Sequence, residues 1–250
     1  MDARQRISSC FFLSIASTVW MQAQGSDAVP TVETIVARMA QARAENRTHL
    51  RPYRVTRAYR LFGREKQTAK AEVIADVTFV PPNLKQYQIQ QSNGTGLGEK
   101  IVRQMLDRET DIVKDHGATD LSPANYEFRF QGQEELGGHR CYVLELIPRR
   151  KERNLLKGRI WVDSATYRLR RTEGEPGKAP SWWIRDAHIV LVYEEVGGMW
   201  LQTSSESTAN VRLLGEHTMI TRDVDYKFSE LTTAANTGLP IPVRPTGEER

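Results

Sequence analysis

Two pairs of residues in this chain have the spacing of a reactive site. His139 and Cys141 stand two apart, which on a strand puts both side chains on one face and offers two ligands to a metal. Asp186 and His188 stand likewise, the arrangement in which a carboxylate orients an imidazole. Neither pair is completed: no second pair at finger-like spacing accompanies the first, and no Ser or Cys occupies a nucleophile elbow for the second. The five histidines, His49, His116, His139, His188 and His217, read as surface or satisfied polar residues. The run Ser92-Asn93-Gly94-Thr95-Gly96-Leu97-Gly98 has glycines enough to cradle a phosphate. It lacks the Lys-Ser/Thr of a P-loop and the βαβ context of a dinucleotide fold, and is read as a flexible joint between a strand and a helix. The reading is of a non-catalytic protein with no metal and no cofactor.

The N-terminus places the chain in an exported class. Arg4 and Arg6 precede an apolar run from Cys10 to Met21, and Ala23-Gln24-Gly25-Ser26 suits a signal peptidase. The expected division is a signal peptide over 1–25, a folded domain over 26–230 and a disordered tail over 231–250, rich in Thr, Gly and Pro. Cleavage after Gly25, or after Ala23, leaves a soluble periplasmic chain. Ile7-Ser8-Ser9-Cys10 matches a lipoprotein box, but the apolar run follows the cysteine instead of preceding it, so Cys10 is expected to stay unlipidated. Cys141 is then the one remaining cysteine, no intrachain disulfide forms, and a small buried hydrophobe is its expected role. The formal charge of +4 becomes +3 when Asp2, Arg4 and Arg6 leave (4 + 1 − 2). Basic residues concentrate in Arg149-Arg150-Lys151-Glu152-Arg153 with Lys157 and Arg159, read as a solvated connection with at most a weak attraction to anionic lipid. Arg54, Arg57 and Arg60 interleave with Tyr53, Tyr59 and Phe62. Export argues against nucleic acid as a partner, and a polar outer sheet face accounts for them.

The elements that hold these residues are legible from periodicity. Val32, Ile35, Val36 and Met39 follow helical spacing after Pro30 and Thr31, which predicts an amphipathic helix from Thr31 to about Arg47. Strands are expected over Pro52 to Phe62, Ala69 to Val80 and Leu84 to Gln90. A second helix should run to about Lys114, with Leu97, Ile101, Met105 and Leu106 on one side. From Tyr126 to Phe228 turn signals follow one another with no room for crossover helices, with tight hairpins at Gly137-Gly138 and Gly197-Gly198; this predicts an antiparallel meander. In the last strand Ile220, Val224, Tyr226 and Phe228 form the apolar face, with Thr221, Asp223, Asp225 and Lys227 opposite. Arg222 falls among the apolar set, where it must meet a carboxylate or a wet cavity.

Leu155 to Asp163, with Tyr167-Arg168-Leu169-Arg170-Arg171 after it, resembles the central hairpin of the periplasmic lipoprotein-sorting (LolA-like) carriers. Gly197-Gly198-Met199-Trp200-Leu201-Gln202-Thr203 resembles that family's Gly-x-Trp-Leu-Pro-Thr strand, with Gln202 in place of Pro, and Thr218 to Phe228 its closing strand. The resemblance implies an α+β fold: a curved, incompletely closed antiparallel β half-barrel whose concave face is covered by helices, with an apolar cavity that shields acyl chains. Residues expected to line it are Ile35, Met39, Ile101, Met105, Phe128, Leu144, Ile160, Val162, Ile220 and Val224, in one interior shared by both helices. Of Trp182 and Trp183, one is expected in the core and one at the cavity mouth or on an outer patch. The implied function is an exported carrier or binding protein for lipid or lipoprotein acyl chains. The alternative is an envelope sensor or regulatory domain on the same fold. A transient membrane or envelope-protein partner fits either, and nucleic acid fits neither.

Overall fold

The computed structural model describes residues 29–228 apart from 95, 115–118, 180, 181 and 183. The expected signal peptide, the expected C-terminal tail and Trp183 therefore lie outside the described residues. Helix α1 spans Val32–His49. Thr31 caps it, its hydroxyl accepting from the Thr34 amide at 3.3 Å, and Glu33 sits in the first turn where the helix dipole favours an acid. Strands β1 (Tyr53–Phe62), β2 (Ala69–Val80) and β3 (Leu84–Gly94) follow, then α2 (Gly96–Lys114). The remaining strands are β4 (Tyr126–Leu136), β5 (His139–Pro148), β6 (Leu156–Asp163), β7 (Leu169–Pro176), β8 (Ile184–Val196), β9 (Met199–Val211) and β10 (Gly215–Lys227).

All ten strands form one sheet in the order β3-β2-β1-β10-β9-β8-β7-β6-β5-β4, every pair antiparallel. From β4 to β10 this is the expected meander. The first three strands depart from it: β1 closes onto β10, so α2 carries the chain from one edge strand, β3, to the other, β4. The two edges do not pair with each other, and the sheet is an open half-barrel. Both Gly-Gly hairpins form as expected, with φ of 58° and 78° at Gly137 and Gly138 and 57° and 82° at Gly197 and Gly198.

The register shows that both helices stand on one face. Directly opposed residues of antiparallel strands share a face, so Val73, Tyr59, Thr221, Ser205, Leu191, Thr172, Ile160 and Leu144 make one row across eight strands. At one end of this row Ile160 and Leu144 pack with Ile35, Val36 and Met39 of α1; at the other, Tyr59 and Val73 pack with Val102 and Leu106 of α2. The expected single shared interior is thus two separate cores on one inner face. Ile35, Met39, Phe128, Leu144, Ile160 and Val162 belong to the first, and Ile101 and Met105 lean on the second.

Ile220 does not line this interior. It pairs with Arg60 and Glu206 on the outer face, while its neighbours Met219 and Thr221 are buried inside. Val224 is 66% exposed. The cause is a bulge: Thr56 pairs with Asp225 and Arg57 with Asp223, leaving Val224 without a partner and reversing the faces of the strand. Arg222 is accordingly exposed, and Asp223 points inward.

Candidate functional site

Beneath α2 the inner face carries charge. Arg57, in step with Val55, Tyr59 and Leu61, faces inward and is only 6% exposed. Its Nε donates to Asp223 Oδ1 at 2.5 Å, its Nη2 to Asp223 Oδ2 at 3.4 Å and its Nη1 to Glu109 Oε2 of α2 at 3.0 Å. Lys85 Nζ reaches the same Glu109 oxygen at 2.5 Å, and the Tyr226 hydroxyl donates to Asp223 Oδ2. Two cations and two carboxylates leave this cluster neutral. Burial alone would raise the carboxyl of Glu109, but Lys85 and Arg57 outweigh it and hold the group below its ordinary range. Burial pushes Tyr53, beside the cluster, up to about 12. Lys85 is lowered, because burial exceeds the attraction of Glu109.

Beneath α1 the inner face is apolar. Polar contacts there anchor the C-terminal part of the helix: Asn46 donates to Trp200 O at 2.9 Å and accepts from Trp200 N at 2.7 Å, and Arg43 binds Asp120 Oδ1 and Leu121 O, both at 2.7 Å. Both the nitrogen and the oxygen of the Asn46 amide are engaged in this clamp.

Between the two cores lies a strip of β8 and β9. Ser205 and Ser207 face inward opposite Leu191 and Ile189, all four half-buried, and neither aliphatic residue joins either core. The strip is flanked by hydroxyls in the same row. Tyr59 OH and Thr221 Oγ1 on one side and Thr172 Oγ1 on the other are buried without a partner in hydrogen-bonding geometry, although Arg57 and Tyr193 lie near the first and last. In the adjacent row Ile189 is followed by Gly174 and Gly158, so no side chain stands between it and Leu146. Glycine is required there: a Cβ on Gly158 would lie 2.0 Å from Glu173 O, and one on Gly174 2.3 Å from Lys157 O. A surface that alternates aliphatic groups with hydroxyls can take an apolar chain carrying an ester or acid.

The remaining expected site residues are placed as follows. Trp182 is 79% exposed, with the Arg212 guanidinium 5.7 Å from its ring centre. Cys141 is buried against Val143 and Trp161 on the outer face, and burial first, then Asp163, pushes its thiol up to about 11. His139 lies 3.4 Å from Asp163, and the Arg170 Nε donates to the same carboxylate at 2.7 Å. Asp186 adopts φ 51° at a register shift, and His188 faces Glu173 at 3.4 Å instead. Among the described residues no group of three or more His, Cys, Asp or Glu could hold a metal, and no helix is long and apolar enough to cross a membrane. Two open pockets, of about 550 Å³ along the exposed side of α2 and about 380 Å³ on the outer sheet face, are lined mainly by polar side chains and lie away from the strip.

A family model described as an uncharacterized protein matches residues 109–230, just under half of the chain. No curated protein matches the sequence. Among solved structures, the chain is similar to a domain from Vibrio parahaemolyticus described as an outer membrane lipoprotein-sorting protein, at 15% identity and a TM-score of 0.44, covering 81% of this chain and 92% of that one. It is also similar to a DUF1329 family protein from Desulfovibrio piger (13% identity, 84% and 95% covered, TM-score 0.39). A third likeness is to a LolA superfamily protein from Nitrosomonas europaea (12% identity, 82% and 96% covered, TM-score 0.37).

Proposed function

We propose that the chain is an exported periplasmic binding protein for an amphipathic lipid, of which acyl chains of lipids or lipoproteins are the class, held on the inner face between α1 and α2. One observation carries this reading: the half-buried Ser205, Leu191, Ser207 and Ile189 strip, which belongs to neither core and adjoins the buried, unpaired hydroxyl of Thr221. Each acyl CH₂ removed from water contributes about 0.8 kcal/mol, so a half-buried strip on the inner face between two helices is worth more to a lipid than an open patch. The strip's hydroxyls suit the ester or carboxyl end of such a chain. The resemblance of Leu155 to Asp163 and of Gly197 to Thr203 to lipoprotein carriers supports the same class.

The test is binding of a fluorescent fatty-acid probe to the mature protein, with native mass spectrometry of protein purified from its own envelope. Leu191→Glu places a charge in the strip and should lower probe affinity about tenfold or more, on the scale of burying an unpaired charge, while Met105→Glu, on the α2 core, serves as a comparison. Equal binding by the wild type and Leu191→Glu would remove the strip from the account.

A further inference from the structure

One end of the sheet gathers features that the ligand reading does not use. Antiparallel pairing brings together the β1–β2, β5–β6, β7–β8 and β9–β10 connections, as the pairs Phe62 with Thr218, Leu156 with Pro176 and Ile184 with Val211 show. The β9–β10 turn presents Leu213, fully exposed, and Leu214, also exposed, and Trp182 stands on the neighbouring β7–β8 connection. Arg212 lies over the Trp182 ring and ties the two connections together. Leu213 holds φ 69°, a left-handed conformation that a turn normally gives to Gly or Asn. A leucine kept in that position and turned wholly to water is a poor choice for the fold alone.

The surroundings identify what the apolar tip meets. Arg64, Lys66, Lys151, Arg153, Lys178 and Arg212 are all exposed on the connections at this end, and they outnumber the acids Glu65 and Glu152 there together with Glu175 and Glu216 at the adjoining strand ends, of which Glu216 pairs loosely with Lys66 at 3.9 Å. A Trp and two Leu set within a basic rim match the two layers of an anionic bilayer surface: the apolar tips enter the interface and the cations face the headgroups. We infer that this end of the half-barrel is a docking face for anionic membrane, with Trp182, Leu213 and Leu214 as its inserting tip. Its position at the mouth of the loops, away from the interior strip, separates docking from ligand binding.

The experiment is flotation of the full mature chain with vesicles of phosphatidylethanolamine and phosphatidylglycerol, set against vesicles of phosphatidylcholine alone. Wild-type protein should float with the anionic vesicles, lose that association as salt is raised, and bind neutral vesicles weakly. Leu213→Asn with Leu214→Ser, which keeps a residue suited to the turn, should weaken association about tenfold with an unchanged melting temperature. Trp182→Ser should act in the same direction and Arg212→Glu should steepen the loss. Absence of wild-type flotation on anionic vesicles overturns the proposal, and so does undiminished flotation of the Leu213/Leu214 variant. Capture of a protein partner in place of vesicles by the same tip would likewise overturn it.

Discussion

The two halves of the inner face are held by different means. Under α1, Ile35, Val36 and Met39 meet Leu144, Leu146, Leu155, Ile160 and Val162 in a core without charge, and Asn46 and Arg43 fasten the helix from its polar side. Under α2, the apolar contact of Val102 and Leu106 is accompanied by Arg57, Glu109, Lys85 and Asp223. Hydrophobic packing is non-directional, whereas ion pairs buried in low dielectric demand their own geometry and contribute little net stability when complete. The α1 half is therefore fixed by volume, and the α2 half by position: Glu109 brings the helix to one place over Arg57. The strip of β8 and β9 lies where neither device reaches, and this is what leaves it available.

The comparison breaks most sharply at Arg57. Arg57→Ala strands Asp223, whose side chain is 2% exposed, beside Glu109, and should cost about 3–5 kcal/mol. Chemical denaturation measures the total, and hydrogen exchange should place the loss in β1, β10 and α2 with α1 still protected. A uniform loss across both halves would show that they are one cooperative body. On the other side Asn46→Ala removes two hydrogen bonds to the Trp200 backbone and should cost about 1–2 kcal/mol, read as faster exchange at the end of α1.

Acid offers a graded version of the same contrast. Glu109 titrates below its ordinary value near 4.5 in the folded chain, so its stabilising contribution is complete above that value and is lost as pH falls through the lowered one. Asp163 is also held low, Arg170 and the Thr166 and Ala165 amides outweighing its burial, and its share is lost in the same direction. Glu109→Gln should therefore flatten the acid dependence of exchange in α2 and leave that of the β6–β7 hairpin unchanged. The smallest expected effect belongs to Val224→Ser, which should stay within about 0.5 kcal/mol by thermal melting, as for exposed positions in general.

Much of this arrangement was legible in the residues. The strand expected over Ala69 to Val80 forms with Val73, Ala75, Val77 and Phe79 buried together on its inner face, and the Gly-Gly pairs predicted hairpins that need positive φ. The face of β10 was misread because a bulge at Val224 reverses parity midway, and a bulge is visible only once Arg57 is known to pair with Asp223. Arg57 and Tyr59 were expected on a polar outer face with Arg54 and Arg60; alternation in β1 instead aligns both with Val55 on the inner face. The carboxylate partners of Arg57 lie 52 and 166 positions away, so nothing local marked it as satisfied. The strip was hidden for the same reason: Thr221, Ser205, Leu191 and Thr172 come from four strands and become neighbours only through register.

The direct test of the central claim is photo-crosslinking of the mature protein with a fatty acid carrying a diazirine along its chain, with the attachment sites mapped by mass spectrometry. Labels on the β8 and β9 peptides that contain Ile189, Leu191, Ser205 and Ser207, competed away by unlabelled fatty acid, are the predicted result. Labels confined to the outer face or to the Trp182 and Leu213 tip, with the β8 and β9 strip unmodified, would contradict it.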